Sequence, residues 1–337
     1  MYKIEDIRRI HLEITDKCNA KCPMCERTKS INNGSKLFNN EITLEVFEKW
    51  FPINFIKQLN QFQICGNLGD GIYAKDTLKI FKYLRQYNNN ILLILNTNGS
   101  ARNFLWWQEL AQTGVRVIFA IDGLKDTHHL YRVNTDWDKI INNAKTFIKA
   151  GGSAYWAMLV FKHNEHQIED CRKLAKEIKF EEFHVKHTTR FKKNSNEWPV
   201  YDGEKNLTHI LEPTSISENF SNIKKKVLKL TKQGSFQISC QAIKKQSIYI
   251  SADGVVMPCC WIGSPLKLNP SIVDYNKKIG NYYSLYDYSL EEIFNTGIFE
   301  KIKNTWDKDP LKVCSSQCSF FKQNESQYIE KNKISDI

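Results

Sequence analysis

No run of about 18 consecutive apolar residues occurs, so a membrane-spanning helix is not expected. The start, Met1-Tyr2-Lys3-Ile4-Glu5-Asp6, lacks the apolar stretch and small-residue cleavage site of a secretory signal. A cytoplasmic protein is the expectation. Proline (8) and glycine (15) are too few in 337 residues for a collagen-like or low-complexity chain. No internal repeat is visible, which argues against a solenoid. Acidic residues are outnumbered, 37 against 48 Lys and Arg, giving a net charge of +11. That permits an anionic partner such as RNA. The lysines are scattered, however, and a solvated basic surface is the plainer reading.

Cysteine is what the sequence has in plenty. A cytoplasmic chain with ten cysteines needs a reason other than disulfides. Cys18, Cys22 and Cys25 crowd near the N-terminus. Cys240, Cys259, Cys260, Cys314 and Cys318 fall in the last hundred residues. The segregation points to two metal sites. Cys65 and Cys171, in a predicted strand and on an apolar helical face, read as packed thiols.

Six short β-branched and aromatic runs are predicted strands: 10–15, 62–65, 91–96, 115–121, 155–161 and 182–186. Apolar residues at helical spacing follow most of them, as with Ile140, Ile141, Ala144, Phe147 and Ile148. Repeated strand–helix units imply an α/β fold with parallel strands. A partial (β/α)6 TIM-like barrel and an open doubly wound sheet both fit. The rhythm breaks near Phe191. Residues 1–191 are therefore expected as the first domain and 192–235 as a polar connector with a helix over 216–230. A small α+β module with a β-hairpin is expected over 236–323, and a helix fraying into a tail over 324–337.

The sharpest local pattern is Cys18-Asn-Ala-Lys-Cys22-Pro-Met-Cys25, directly after the first predicted strand. Loops at the C-terminal ends of parallel strands are where such folds gather ligands. Three thiolates bind three irons of a cubane and leave the fourth open, which makes a reaction centre. A zinc site completed by His11 is the alternative. The CxxxCxxC pattern in this position resembles the radical S-adenosylmethionine (radical SAM) enzymes, with Met24 where the family has an aromatic residue. The resemblance implies a [4Fe-4S] cluster on Cys18, Cys22 and Cys25. Its open iron would be chelated by the amino and carboxylate groups of S-adenosylmethionine.

Other positions match the family more loosely. Gly66-Asn67-Leu68-Gly69-Asp70 stands where the family has Gly-Gly-Glu, and it lacks the middle glycine. Asp70 is the expected partner of the methionyl ammonium. Asn98, in Asn96-Thr97-Asn98-Gly99, resembles the family's polar rim. Asp122, in Ala120-Ile121-Asp122-Gly123, resembles the Ser-x-Asp-Gly of relatives with a second cluster and is a candidate for ribose or substrate, or a plain turn. Asn164, Lys186, His187 and Arg190, at the last two strands, are candidates for the barrel mouth or for surface.

Near the C-terminus, Cys240 and Cys259 are spaced C-x13-G-x4-C around a predicted hairpin, Ser247–Met257, with an Asp253-Gly254 turn. Cys314 and Cys318 add two thiols, and four thiolates make a closed site for iron–sulfur or zinc. Cys260 is an alternative to Cys259. The arrangement resembles the twitch module, a shortened SPASM domain, which implies one auxiliary [4Fe-4S] cluster and two such clusters in all.

The resemblance implies an enzyme, oxidoreductase-like, that cleaves S-adenosylmethionine to a 5′-deoxyadenosyl radical. It also implies a low-potential electron donor such as flavodoxin or ferredoxin. A closed auxiliary cluster suits an electron acceptor, so oxidative modification of a peptide or peptide-like substrate is the leading expectation. Redox-neutral epimerisation would need a thiol hydrogen donor, with Cys260, Cys65 and Cys171 as candidates. Dehydrogenation of a small sugar or nucleoside, RNA modification and a zinc-stabilised binding scaffold complete the alternatives.

Overall fold

The computed structural model describes residues 2–34, 36–188, 190–191, 196–215, 238–263, 270–318 and 328–334. Six parallel strands lie in sequence order: β1 (Arg9–Leu12), β2 (Gln61–Ile64), β3 (Leu92–Thr97), β4 (Arg116–Ala120), β5 (Ser153–Val160) and β6 (Glu182–His187). Each begins within two residues of its sequence expectation, and β1 ends three residues short of it, at Leu12. The helices between them are α1 (Glu26–Asn32), α2 (Leu44–Trp50), α3 (Ile53–Gln58), α4 (Thr77–Tyr87), α5 (Phe104–Ala111), α6 (Lys125–Tyr131), α7 (Trp137–Lys149) and α8 (Ile168–Ile178). Three have side-chain caps: Thr43 accepts from the Val46 N–H, Asn103 from Trp106 and Asp136 from Lys139.

Strand alternation divides the sheet into two faces. Ile10, Leu12, Phe62, Ile64, Leu93, Leu95, Val117 and Phe119 are buried against the helices. Trp107, Phe147, Trp156 and Phe180 complete an aromatic core around Phe119. The opposite face is polar: His11, Gln63 and Asn96 point there, and Gln63 Nε2 donates to Asn96 Oδ1 at 2.8 Å. This inner face, with the loops above it, positions the site.

Five more strands follow. A two-stranded antiparallel hairpin, β7 (Trp198–Tyr201) and β8 (Leu207–Leu211), occupies part of the stretch expected as irregular connector. Its turn is tied by Asp202 Oδ1, which accepts from Glu204 and Asn206 N–H groups at 2.9 Å. The expected helix over 216–230 lies outside the described residues. The expected hairpin forms as β9 (Ser247–Ile250) and β10 (Val256–Met257), with Gly254 at φ +79°.

This hairpin is not a separate sheet. β9 pairs in parallel with the free edge of β1, Arg9 opposite Ser247 and Leu12 opposite Ile250. The tail is a strand, β11 (Tyr328–Lys333), and not the helix expected from its sequence. It pairs antiparallel with β6, and Arg172 on α8 binds Glu330 at 2.6 Å. An exposed edge of β6 offers a row of unpaired backbone groups, and pairing with it outweighs the weak helical preference of a short polar segment. The result is one nine-stranded mixed sheet, in the order β10-β9-β1-β2-β3-β4-β5-β6-β11.

Candidate active site

Cys18, Cys22 and Cys25 sit in the loop from β1 to α1, with Cys25 at the N-cap of α1 and its N–H bonded to the Cys22 carbonyl at 3.0 Å. Each thiol meets a different neighbour. Asn98 Nδ2 lies 3.6 Å from Cys18 Sγ, Arg132 Nη1 lies 3.8 Å from Cys22 Sγ, and Cys25 Sγ faces the Asn67 carbonyl at 3.8 Å. Burial pushes the Cys18 thiol up to about 12 and Cys22 to about 11, although Arg132 opposes the rise at Cys22. Loading a metal group therefore releases protons from these thiols.

The loop after β2 approaches the cysteine loop closely. A Cβ at Gly69 would stand 1.8 Å from the Thr15 carbonyl oxygen, and one at Gly66 would stand 2.1 Å from that of Gly69. Asp70 is buried, which raises its carboxyl above the usual range. Its two oxygens accept from the Asn98 N–H at 2.7 Å and the Ile72 N–H at 3.2 Å. Cys18, Asn67, Asp70 and Asn98 thus form one neighbourhood.

Asp122 is wholly buried. Oδ1 accepts from the Leu159 N–H at 2.6 Å and Oδ2 from Arg132 Nε at 2.5 Å. Asn164 is also buried and braces the backbone: its Oδ1 accepts from Phe161, and its Nδ2 donates to the Asp122 and Leu159 carbonyls. Lys186 and His187 end β6, opposite Leu159 and Val160. Arg190 is exposed, and its charge acts on Tyr131, which packs beside Cys22 and Met24.

Cys240, Cys259, Cys314 and Cys318 line one cavity together with Pro258 and Trp306. The Ser239 N–H bonds the Cys318 carbonyl at 2.8 Å, which ties the two cysteine segments together. Burial pushes Cys259 up to about 12 and raises Cys240 and Cys314, while backbone N–H groups directed at the Cys240 and Cys259 sulfurs oppose the rise. The buried Trp306 Nε1–H is directed at the Cys314 sulfur and also opposes its rise, a donor suited to a ligating thiolate. Among the described residues, no three His, Cys, Asp or Glu side chains converge on a point for a single metal ion. A cubane presents its irons at separate corners, so its thiolates surround a volume. The donor sets of both sites fit such a group.

Cys260 begins the short helix Cys260–Gly263 and does not line the four-thiol cavity; the charges that act on it are those of the adjacent Cys259, then Cys65 and Glu13. Cys171 is buried within α8. Sequence reasoning missed three neighbours of the thiol sites: Arg132, Glu13 and Tyr249. Arg132 lies ten residues beyond Asp122, at the end of α6, and Tyr249 reaches Glu13 across 236 positions. Neither spacing leaves a local signal.

Residues 12–175 match the Radical SAM superfamily and residues 240–319 the SPASM iron–sulfur cluster-binding domain. GTP 3′,8-cyclase of Helicobacter pylori (strain HPAG1) is 23% identical over 289 residues, covering 80% of this chain and 85% of that one. Among solved structures, Streptococcus suis SuiB bound to S-adenosylmethionine aligns with a TM-score of 0.57 at 14% identity. The alignment covers 90% of this chain and 66%, just under two thirds, of SuiB. anSMEcpe with bound AdoMet also gives 0.57, at 16% identity over 96% of this chain and 89% of that one. The chain belongs to the radical SAM superfamily, with a SPASM-type auxiliary domain. It is an oxidoreductase-like enzyme of S-adenosylmethionine cleavage and radical generation, and domains of both kinds bind iron–sulfur clusters. No helix among the described residues is long and apolar enough to cross a membrane.

Proposed function

We propose that the enzyme oxidatively modifies a peptide or peptide-like substrate. In this reading Cys18, Cys22 and Cys25 hold the S-adenosylmethionine-binding [4Fe-4S] cluster, and Cys240, Cys259, Cys314 and Cys318 hold an auxiliary one. The observation that carries the reading is the pair of sulfur-lined sites at one sheet, three thiols in the loop after β1 and four around the cavity beyond β9. When bound, the first group would pass an electron to S-adenosylmethionine, the source of a 5′-deoxyadenosyl radical, and the second would serve as an electron acceptor. The protein's part is to bind, orient and exclude water. Asn98 and Arg132 direct N–H groups at the first set of sulfurs. Asp70 offers a buried carboxyl to an ammonium group, and Gly66 and Gly69 let the backbone approach closely. Lys186, His187 and Arg190 contribute positive charge or polarity toward the substrate side. A flavodoxin- or ferredoxin-like donor supplies the electron.

Peptide as substrate class is supported by two fold relatives: SuiB has been seen with the precursor peptide SuiA, and anSMEcpe with the Cp18Cys and Kp18Cys peptides. A nucleotide substrate is the second reading, favoured by the 289-residue alignment with GTP 3′,8-cyclase. The test is a cysteine-to-alanine series in anaerobically reconstituted protein. Each of Cys18→Ala, Cys22→Ala and Cys25→Ala is expected to lose about four irons per chain and all 5′-deoxyadenosine formation. Cys259→Ala or Cys314→Ala is expected to lose about four irons yet retain S-adenosylmethionine cleavage, while Cys260→Ala retains about eight. Zinc without iron in the C-terminal site would overturn the assignment. Deuterium transfer into 5′-deoxyadenosine from GTP, and not from peptides, would overturn the substrate class.

A further inference from the structure

Between the two thiol sites lies a buried acid–phenol pair that neither site uses. Glu13 follows β1 and is 3% exposed. Its carboxylate accepts from the Tyr249 hydroxyl on β9 and from the Leu68 N–H at 3.3 Å. Asn67 Nδ2 reaches the Tyr249 oxygen at 3.4 Å, and the carbonyl of the same Asn67 faces the Cys25 thiol. On the other side, a Cβ at Gly263 would stand 2.2 Å from the Tyr249 ring. The helix Cys260–Gly263, which starts immediately after Cys259, is thus packed on the phenol. The pair spans from the first thiol loop to the second.

The groups facing Glu13 come from every element around it: Tyr249 from β9, Cys65 from the end of β2, Cys260 from the short helix, and Asn67 and Leu68 from the loop after β2. His11 on β1 packs edge-on against Tyr249 at 5.1 Å, and the charges of Asp70 and Lys186 also act on Cys65. Burial raises the Glu13 carboxyl to about 7, against hydrogen bonds from Tyr249, Asn67 and Leu68 that hold it down.

We propose that Glu13 accepts the proton released when the substrate gives up an electron to the C-terminal centre, with Tyr249 positioning its carboxylate. The inference rests on the proposed reading of that centre as an electron acceptor. Oxidation of a C–H beside an N–H or O–H removes two electrons and two protons. One hydrogen atom leaves the carbon for the 5′-deoxyadenosyl radical, forming 5′-deoxyadenosine. The remaining electron passes to the C-terminal centre, which is reduced by one electron. The proton leaves the nitrogen or oxygen for the Glu13 carboxylate as the C=N or C=O bond forms. Charge separation is costly in a buried, weakly polarisable site, so a proton acceptor is needed beside the electron's destination.

The test is a redox titration of reconstituted holoenzyme, followed by electron paramagnetic resonance from about pH 6 to about pH 9. Reduction adds negative charge near Glu13 and strengthens its hold on a proton. The midpoint potential of the C-terminal centre is therefore expected to be flat below about pH 7, where the carboxyl is already protonated, and to fall as pH rises above it. Glu13→Gln is expected to abolish the slope, Glu13→Asp to keep it with a shifted onset, and Tyr249→Phe to move the onset. A flat wild-type profile, or the same slope in Glu13→Gln, overturns the inference. If Glu13→Gln does not retain its clusters, redox-difference infrared spectra of the unaltered holoenzyme carrying 13C-glutamate decide. A protonated carboxyl band that grows on reduction and shifts with the label supports the inference, and its absence overturns it. Iron and sulfide are counted first. A protein without a C-terminal cluster overturns the site reading and this inference with it, whereas a two-cluster protein with a flat profile overturns this inference alone.

Discussion

At the scale of single residues, Asp122 and Arg132 form the pair on which the first thiol loop depends. Asp122 is fully buried and the Arg132 side chain is 19% exposed, so neither charge is well screened by water. Asp122→Ala leaves a buried guanidinium beside Cys22 and is expected to cost about 3–5 kcal/mol. Adding Arg132→Met is expected to recover part of that, because it removes the stranded charge. Denaturant midpoints of the two single variants and the double variant close the cycle. A cost below about 1 kcal/mol for Asp122→Ala would mean the pair behaves like an exposed surface bridge. Asp122 itself was legible in the sequence, because Asp-Gly marks the end of a predicted strand. Its partner was not: α6 folds back to bring Arg132 to it, and no periodicity connects the two positions. The same holds for Glu13. Inside the predicted strand 10–15, Glu13 reads as one polar position of an alternating run, and its distinctive feature, a tyrosine hydroxyl bonded to it, comes from the far end of the chain.

Among the elements, the β7–β8 hairpin has the clearest consequence for the site. Val200 and Leu211 are buried with Tyr131, Phe161, Cys22 and Met24, and Trp198 takes Lys29 over its ring at 5.2 Å. His209 Nε2 pairs with the Leu130 carbonyl at 2.9 Å and fixes the hairpin to α6. It therefore shields the loop that carries the first three thiols. Leu211→Ala is expected to cost about 2–5 kcal/mol of packing, concentrated in this hairpin. In air the variant is expected to lose the N-terminal iron faster than wild type while the C-terminal iron persists, followed by visible absorbance and iron counts. Equal loss from both sites would show that the hairpin does not guard the loop. The six strands and the helices α2, α4, α5, α7 and α8 were legible because each buries one face, so periodicity reports them directly, whereas the short α1, α3 and α6 left no such pattern. The hairpin was not, because its inward apolar positions are few and the surface they meet comes from α6 and the loop after β5. Met24 has the same explanation: fully buried under the hairpin, it fills a position whose surroundings the local sequence does not reveal.

Across the whole molecule, the C-terminal segments complete the N-terminal sheet. β9 covers the free edge of β1 and β11 covers that of β6, so both edges of the six-stranded array are paired by residues beyond position 246. A parallel pairing between such distant segments has no local signature, and a boundary near residue 191 looks natural from the sequence alone. The structure predicts a different behaviour for the isolated pieces. A fragment of residues 1–191 exposes both sheet edges, leaves Glu13 buried without Tyr249, and removes the hairpin over the thiol loop. It is expected to aggregate, because uncovered parallel edges template further pairing and a buried acid without its partner is destabilising. Co-expression with residues 192–337 is expected to restore a soluble complex, measured by co-purification and by the iron bound per chain. If residues 1–191 instead remained monomeric and held about four irons, the first six strands would form an autonomous domain and the edge pairing would be dispensable. The pairing of β1 with β9 makes that outcome physically disfavoured, since the strand that leads into the thiol loop is held on one side by β2 and on the other by β9.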